Sequence, residues 1–122
     1  MAKQRTINID GIEYVRADSV SKKADTLDGL EYKIVRTYSA GVFAGYVESE
    51  NGQEVVLRNA RRLWYWSGAA SLSQLAEEGV KNVSDCKFPR EVTRVKLLQA
   101  VEILDVTKEA QDSIASVPVW KA

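Results

Sequence analysis

The sequence predicts a single α+β domain built on an antiparallel β-meander sheet with two short helices. Two turn signals lead to this prediction, because Ala40-Gly41 and Asn51-Gly52 each separate runs in which apolar and polar residues alternate. After Trp66 the apolar residues change to helical spacing, as in Leu72, Leu75 and Ala76. Strands that come first and helices that come later are typical of an α+β domain.

The elements follow in order along the chain. Strands are expected at residues 32–38, 42–48 and 54–66, and two more at 92–97 and 100–106. A first helix is expected at 69–78, where Gly79 is suited to end it. Thr107 is a good N-cap for a second helix at 108–116.

The amino-terminal part is predicted to be separate from this body. Residues 1–16 contain Asp10-Gly11 between two alternating runs, which predicts a hairpin. Residues 17–30 are polar and aperiodic, and we interpret them as a loop or linker. Residues 31–122 then form the main body of one domain.

Composition limits the partners of this chain. Its 122 residues include 17 Lys and Arg and 17 Asp and Glu, so no overall positive charge favours nucleic acid. Cys86 is the single cysteine, which excludes an internal disulfide and is typical of an intracellular protein. No amino-terminal apolar segment and no bilayer-spanning run is present, so we expect no membrane association.

The absence of histidine argues against catalysis. Without histidine and with one cysteine, one chain cannot assemble the usual zinc, copper or haem ligands, and Ser-His and Cys-His pairs are excluded. Carboxylates or a lysine could still perform acid–base chemistry. We therefore predict a protein that needs no cofactor or metal and is not an enzyme.

The run from Leu57 to Trp66 carries the candidate ligand-binding site. In a regular strand, alternation places Arg58, Arg62, Trp64 and Trp66 on one face and Asn59, Arg61, Leu63 and Tyr65 on the other. Guanidinium groups pair with phosphates while indole rings stack on bases, and the following Ser-Gly-rich turn offers backbone donors at a helix N-terminus. The candidate residues are Arg58, Arg61, Arg62, Trp64, Trp66, Ser67 and Ser71.

A purely structural interpretation of the same run is equally open. The tryptophans would then be core residues, the arginines would extend over them, and Ser67 or Ser71 would cap the helix.

Four segments of the sequence carry a resemblance: RTYSAGVFAGYVES, LRNARRLWYWSGAASLSQLAEEGVKN, CKFP and the closing EILDVT with VPVW. Together they resemble a family of small proteins carried by tailed bacteriophages and prophages, from about Tyr32 to Trp120. The resemblance implies a phage accessory protein in the cytoplasm of a bacterial host cell. In size, lack of catalytic groups and its arginine–aromatic cluster, the chain is also similar to the phage sponges that sequester cyclic-nucleotide immune signals.

The expected function is therefore sequestration of an anionic host ligand, a cyclic nucleotide or an ADP-ribose-type signal, without turnover. The first alternative is an interaction module that inhibits a host protein or decorates the virion, with the tryptophan-rich strand as its hot spot. A binder of single-stranded nucleic acid and an enzyme are the remaining alternatives.

Because three Trp, five Tyr and two Phe are many for one sheet, we also expect a homo-oligomer.

Overall fold

The computed structural model describes residues 22–121, so the predicted hairpin at residues 1–16 lies outside the described residues. The strands are β1 (Tyr32–Thr37), β2 (Val42–Asn51), β3 (Glu54–Arg62), β4 (Val92–Leu97) and β5 (Ala100–Asp105), and the helices are α1 (Leu72–Glu78) and α2 (Lys108–Ser116). A short 3-10 helix, Val83–Asp85, lies between α1 and β4. Within residues 22–121, no helix is long and apolar enough to cross a membrane.

The helix boundaries follow from their capping residues. The Thr107 side chain accepts a hydrogen bond from Ala110 N at 3.1 Å, which confirms the predicted start of α2. The first helix begins at Leu72 rather than at residue 69, because Ser71 caps it by accepting from Gln74 N at 3.1 Å. Gly79, at a φ of 77°, ends it as predicted.

The predicted antiparallel sheet is present, but its strand order is not that of a simple meander. The order is β4-β3-β2-β1-β5, so β5 pairs with β1 instead of β4. Only Leu98 and Gln99 separate β4 from β5, although these strands lie at opposite ends of that order. The sheet must therefore curl until its two edges meet at this link, which makes it a partly closed barrel.

Hydrogen bonds at the link show how the curl closes. Ala100 N donates to Gln53 O at 2.9 Å, in the turn between β2 and β3. Tyr38 N donates to Gln99 O, also at 2.9 Å, just beyond the end of β1. The β2–β3 turn and the β1–β2 turn are thus both hydrogen-bonded to the β4–β5 link.

Two hydrophobic clusters lie on the two faces of the curled sheet. The inner cluster combines side chains from all five strands: Val35, Phe43, Val55, Leu57, Ala60, Leu97 and Ala100, with Ile103 packed against them. The outer cluster joins the other face to the two helices and the loop before β4: Ile34, Ala44, Leu63, Leu75, Phe88, Ala110 and Ile114 among others. Neighbouring residues of β1 and β2 therefore alternate between the two cores, as Ile34 and Val35 do in β1 and Phe43 and Ala44 do in β2.

The segment before β1 is held against the domain over the residues that the structure describes. Ala24 N donates to Val106 O at 3.1 Å, and Lys108 N donates to Lys22 O at 2.7 Å. Leu27 and Leu30 exchange both of their backbone hydrogen bonds around Asp28-Gly29. The part of the predicted loop or linker from residue 22 onwards is therefore docked beside β5 and α2.

A β-bulge at Asn59 interrupts β3. Ala44 pairs with Arg61 and Tyr46 pairs with Arg58, so Asn59 and Ala60 together oppose the single residue Gly45. The φ of Asn59 is 47°, in the left-handed region that Asn tolerates better than most residues. A Cβ atom on Gly45 would lie 3.0 Å from Ala60 Cα, so the close approach at the bulge requires glycine.

We expect Asn59→Val to destabilise the domain, because a β-branched side chain is strained at a positive φ. The loss should be about 1–3 kcal/mol of the free energy of unfolding in urea titrations. Asn59→Gly is the matched control and should change stability little, since glycine adopts this conformation freely. Equal losses in the two variants would contradict a role for backbone strain at this position.

Candidate functional site

The bulge at Asn59 divides the arginines of the candidate site between the two faces of the sheet. In a regular strand Arg58 and Arg62 would share a face, and that prediction is wrong. Arg61 lies 5.5 Å from the centre of the Phe88 ring, which belongs to the outer core. Arg62 lies 4.7 Å from the centre of the Phe43 ring, which belongs to the inner core. The extra residue of the bulge therefore places Arg58 and Arg61 on the outer face and Arg62 on the other.

Arg58 is exposed and forms an ion pair with the carboxylate of Glu48. Its Nε donates to Glu48 Oε1 at 2.9 Å, and Arg94 of the neighbouring strand donates to both oxygens of the same carboxylate at 3.0 and 2.9 Å. Hydrogen bonds from Arg94 and Arg58 lower the pKa of Glu48 to about 2. Glu48 thus stays ionised at neutral pH and competes with any anionic ligand at Arg58.

Arg61 is buried, with 8% of its surface exposed, and it donates to four backbone carbonyl groups. Nε donates to Pro89 O at 3.1 Å, Nη1 to Ile114 O at 2.9 Å, and Nη2 to Phe88 O and Pro118 O at 3.1 Å each. Burial lowers the pKa of Arg61. Its main role in the fold is to join the sheet, the end of α2 and the carboxy-terminal segment.

The two candidate tryptophans differ in their environment because β3 ends at Arg62 and not at residue 66 as predicted. Trp64 is 63% exposed, whereas Trp66 is partly buried and packs against the outer core. Leu63, between Arg62 and Trp64, is buried in that core. Arg62 and Trp64, which flank Leu63 in the chain, are both exposed.

The two candidate serines serve local structure. The Ser67 hydroxyl oxygen accepts a hydrogen bond from Asn82 Nδ2 at 3.0 Å, and Ser67 N donates to the thiol of Cys86. Ser71 is the N-cap of α1, as the structural interpretation of the sequence predicted. The contacts of Ser67 join the turn after β3 to the loop before β4, whereas the contact of Ser71 is local to α1.

An exposed aromatic surface, which the sequence did not predict as a unit, lies where the chain leaves β3. Tyr65 and Lys87 exchange backbone hydrogen bonds at 3.2 and 2.7 Å, and Trp120 N donates to Phe88 O at 3.0 Å. Lys87 Nζ lies 5.8 Å from the ring centres of both Tyr65 and Trp120. Tyr65 is 51% and Trp120 42% exposed. We call Tyr65, Lys87 and Trp120 the aromatic surface.

A cavity of about 470 Å³ lies between α2 and the outer face of the sheet. The rings of Tyr32 and Tyr46 line it edge to face, with their centres 5.0 Å apart. Arg61 is the one member of the candidate site among its lining residues. None of the residues of the aromatic surface lines this cavity.

The domain thus combines a curled antiparallel sheet, a helical layer on one face and a cluster of exposed aromatic residues. Residues 30–114 match the model of a family described as a domain of unknown function, DUF6948. That match covers more than half of the 122 residues, and the chain belongs to this family. No curated protein matches the chain, and no solved structure does.

We expect Arg61→Met to lose more stability than Arg62→Met. Removing the Arg61 guanidinium takes the donor from Pro89 O and Pro118 O, whereas Phe88 O and Ile114 O keep the donors Trp120 N and Val117 N. Each buried carbonyl group left without a donor costs about 1–3 kcal/mol if water cannot replace it. Arg62 is exposed, so its loss should change the free energy of unfolding by less than about 1 kcal/mol. Chemical denaturation of the two variants measures the difference, and equal values would contradict the structural role of Arg61.

Proposed function

We propose that this protein is a non-catalytic interaction module and that its aromatic surface binds a protein partner. The observation that carries the proposal is the exposure of Tyr65 and Trp120, whose ring centres each lie 5.8 Å from the ammonium group of Lys87. Tryptophan, tyrosine and arginine are the residue types that contribute most to binding energy in protein interfaces. Aromatic side chains left in water at the surface of a small domain favour burial against a partner.

The charges around the aromatic surface favour a partner with acidic side chains. Among residues 22–121, no carboxylate lies within 4.0 Å of the Lys87 ammonium group. Lys121 follows Trp120 directly in the chain. Carboxylates of a partner could therefore pair with these cations while its apolar side chains cover the rings.

A second copy of the chain is also a candidate partner, since a homo-oligomer is expected from the aromatic content. In a two-fold symmetric contact, however, Lys87 of one copy would approach the same cationic surface of the other. That repulsion makes a chemically different, acidic partner the better match. Light scattering at high micromolar concentration distinguishes the two cases by mass.

Site-specific photo-crosslinking tests the proposal. With p-benzoylphenylalanine at Tyr65, we expect a crosslinked product of defined mass in host cells, and Lys87→Glu together with Trp120→Ala should abolish it. The same photoreactive residue at Tyr38 is the matched control, because Tyr38 is 79% exposed at the far end of β1. Equal products from the two positions, or none from Tyr65, would contradict the proposal, and a product of two copies would identify the partner as the chain itself.

Sequestration of an anionic nucleotide is the second candidate function, and one observation favours it. Arg62 and Trp64 are both exposed and only Leu63 separates them in the chain, so one ligand could bring a phosphate to the first and a base to the second. Arg58 is removed from this pair by the bulge and by its ion pair with Glu48. The candidate nucleotide site is thereby reduced to two side chains.

Titration calorimetry with cyclic di- and trinucleotides and cyclic ADP-ribose isomers tests this second candidate. If sequestration is the function, Arg62→Ala and Trp64→Ala should each weaken binding by about tenfold to a hundredfold while the protein stays folded. Arg58→Ala is the control and should bind like the unmodified protein. The absence of binding heat with every nucleotide would rule out this candidate and leave the interaction module unaffected.

A further inference from the structure

The cavity beside α2 has the size and the chemistry of a small-molecule site. Its volume of about 470 Å³ lies within the range of about 300–1,000 Å³ that ligand pockets occupy. The aromatic rings of Tyr32 and Tyr46 are part of its lining, and Ile114, Val117 and Val119 add apolar surface. This arrangement could accommodate a compact apolar or aromatic group.

One wall of the cavity carries the guanidinium group of Arg61, on which the charge of Glu91 acts through space without direct contact. Arg61 has five N–H donors, of which four are used by the carbonyl oxygens of Pro89, Ile114, Phe88 and Pro118. Those acceptors are neutral, and no carboxylate of residues 22–121 lies within 4.0 Å of the guanidinium group. One N–H on Nη1 is therefore left without an acceptor. Because a buried charge is costly without a partner, an anion that accepts from this N–H would stabilise the guanidinium group.

Two phenol groups supply further donors to the same cavity. Gln111 Nε2 donates to the Tyr46 hydroxyl oxygen at 3.2 Å, which leaves the hydroxyl hydrogen of Tyr46 available. Among residues 22–121, the hydroxyl group of Tyr32 has no hydrogen-bond partner within the protein. Burial raises the pKa of Tyr32, so this hydroxyl stays protonated and remains a donor at neutral pH.

We propose that this cavity binds a small carboxylate-bearing ligand whose oxygens accept hydrogen bonds from Arg61 Nη1 and from the hydroxyl group of Tyr32. The ring or apolar body of the ligand packs on Tyr46 and Val117. The site is separate from the aromatic surface, so it does not depend on the function proposed above.

The acidic residues at the rim define the charge of the ligand. Lys108 pairs with Asp25 at 2.9 Å and with Asp112 at 2.7 Å, which neutralises much of that side of the cavity. Glu91 lines the cavity without such a partner among the described residues. A second negative charge on the ligand would meet Glu91, so a monocarboxylate fits better than a phosphate dianion.

Two-dimensional NMR titration with benzoate tests the site on the full chain. We expect benzoate to shift the Arg61 Nε–H signal and the backbone amides of α2 in a saturable way. Benzamide, which has the same shape and no charge, should bind at least tenfold more weakly, and inorganic phosphate should cause no saturable shift.

Tyr32→Phe removes one hydroxyl group and keeps the ring, so it should weaken benzoate binding by about tenfold or more without unfolding the protein. Tyr65→Phe removes a hydroxyl outside the cavity and should leave the affinity unchanged. Absence of saturation with benzoate, equal binding of benzoate and benzamide, an unchanged affinity in Tyr32→Phe, or tighter binding of phosphate would each overturn the proposal. The crosslink from Tyr65 would be unaffected by any of these results.

Discussion

The guanidinium group of Arg61 is the contact through which the sheet, the second helix and the carboxy-terminal segment depend on one another. Backbone carbonyl groups at a helix end and in two loops need donors once they leave water. A single planar group with five N–H bonds serves four of them, from Phe88, Pro89, Ile114 and Pro118. Phe88 and Ile114 are also members of the outer core, so the same contacts join that core to β3.

Arg61 reaches those carbonyl groups because of the bulge at Asn59. Without the extra residue, side-chain alternation would direct Arg61 towards the inner core, where no such acceptors lie, and Arg62 towards the helices. Gly45 permits the bulge by leaving room for the backbone of Ala60. A glycine on one strand and a positive φ on the next therefore determine which arginine is structural and which is exposed.

Patterns that act over a few residues were sufficient to predict most of the fold from the sequence. Turn residues and apolar spacing located the five strands, and Thr107 and Gly79 located helix ends. The pairing of β5 with β1 could not be predicted in this way, because it depends on the curl of the whole sheet and no local signal specifies it. A glycine opposite an Asn in the neighbouring strand was the only sequence sign of the bulge.

The candidate site was less predictable for the same reason. Shifting the strand by one residue exchanges the two faces, so Arg58, Arg61 and Arg62 acquire three different environments from one short run. Trp64 and Trp66 were both named as candidates, yet only contacts with the helical layer distinguish the exposed ring from the packed one. The aromatic surface joins Tyr65 to Lys87 and Trp120, which are distant in sequence and come together only in the folded chain.

The two-residue link between β4 and β5 also has a consequence for the order of folding. Hairpins β1–β2 and β2–β3 close short loops and can form quickly, whereas β5 must find β1 across most of the domain. During synthesis, β1 to β4 leave the ribosome before β5, so the inner core has an open side until Asp105 has emerged. Pairing of β5 with β1 therefore completes the inner core, and the first four strands leave Val35 and Leu57 incompletely covered until then.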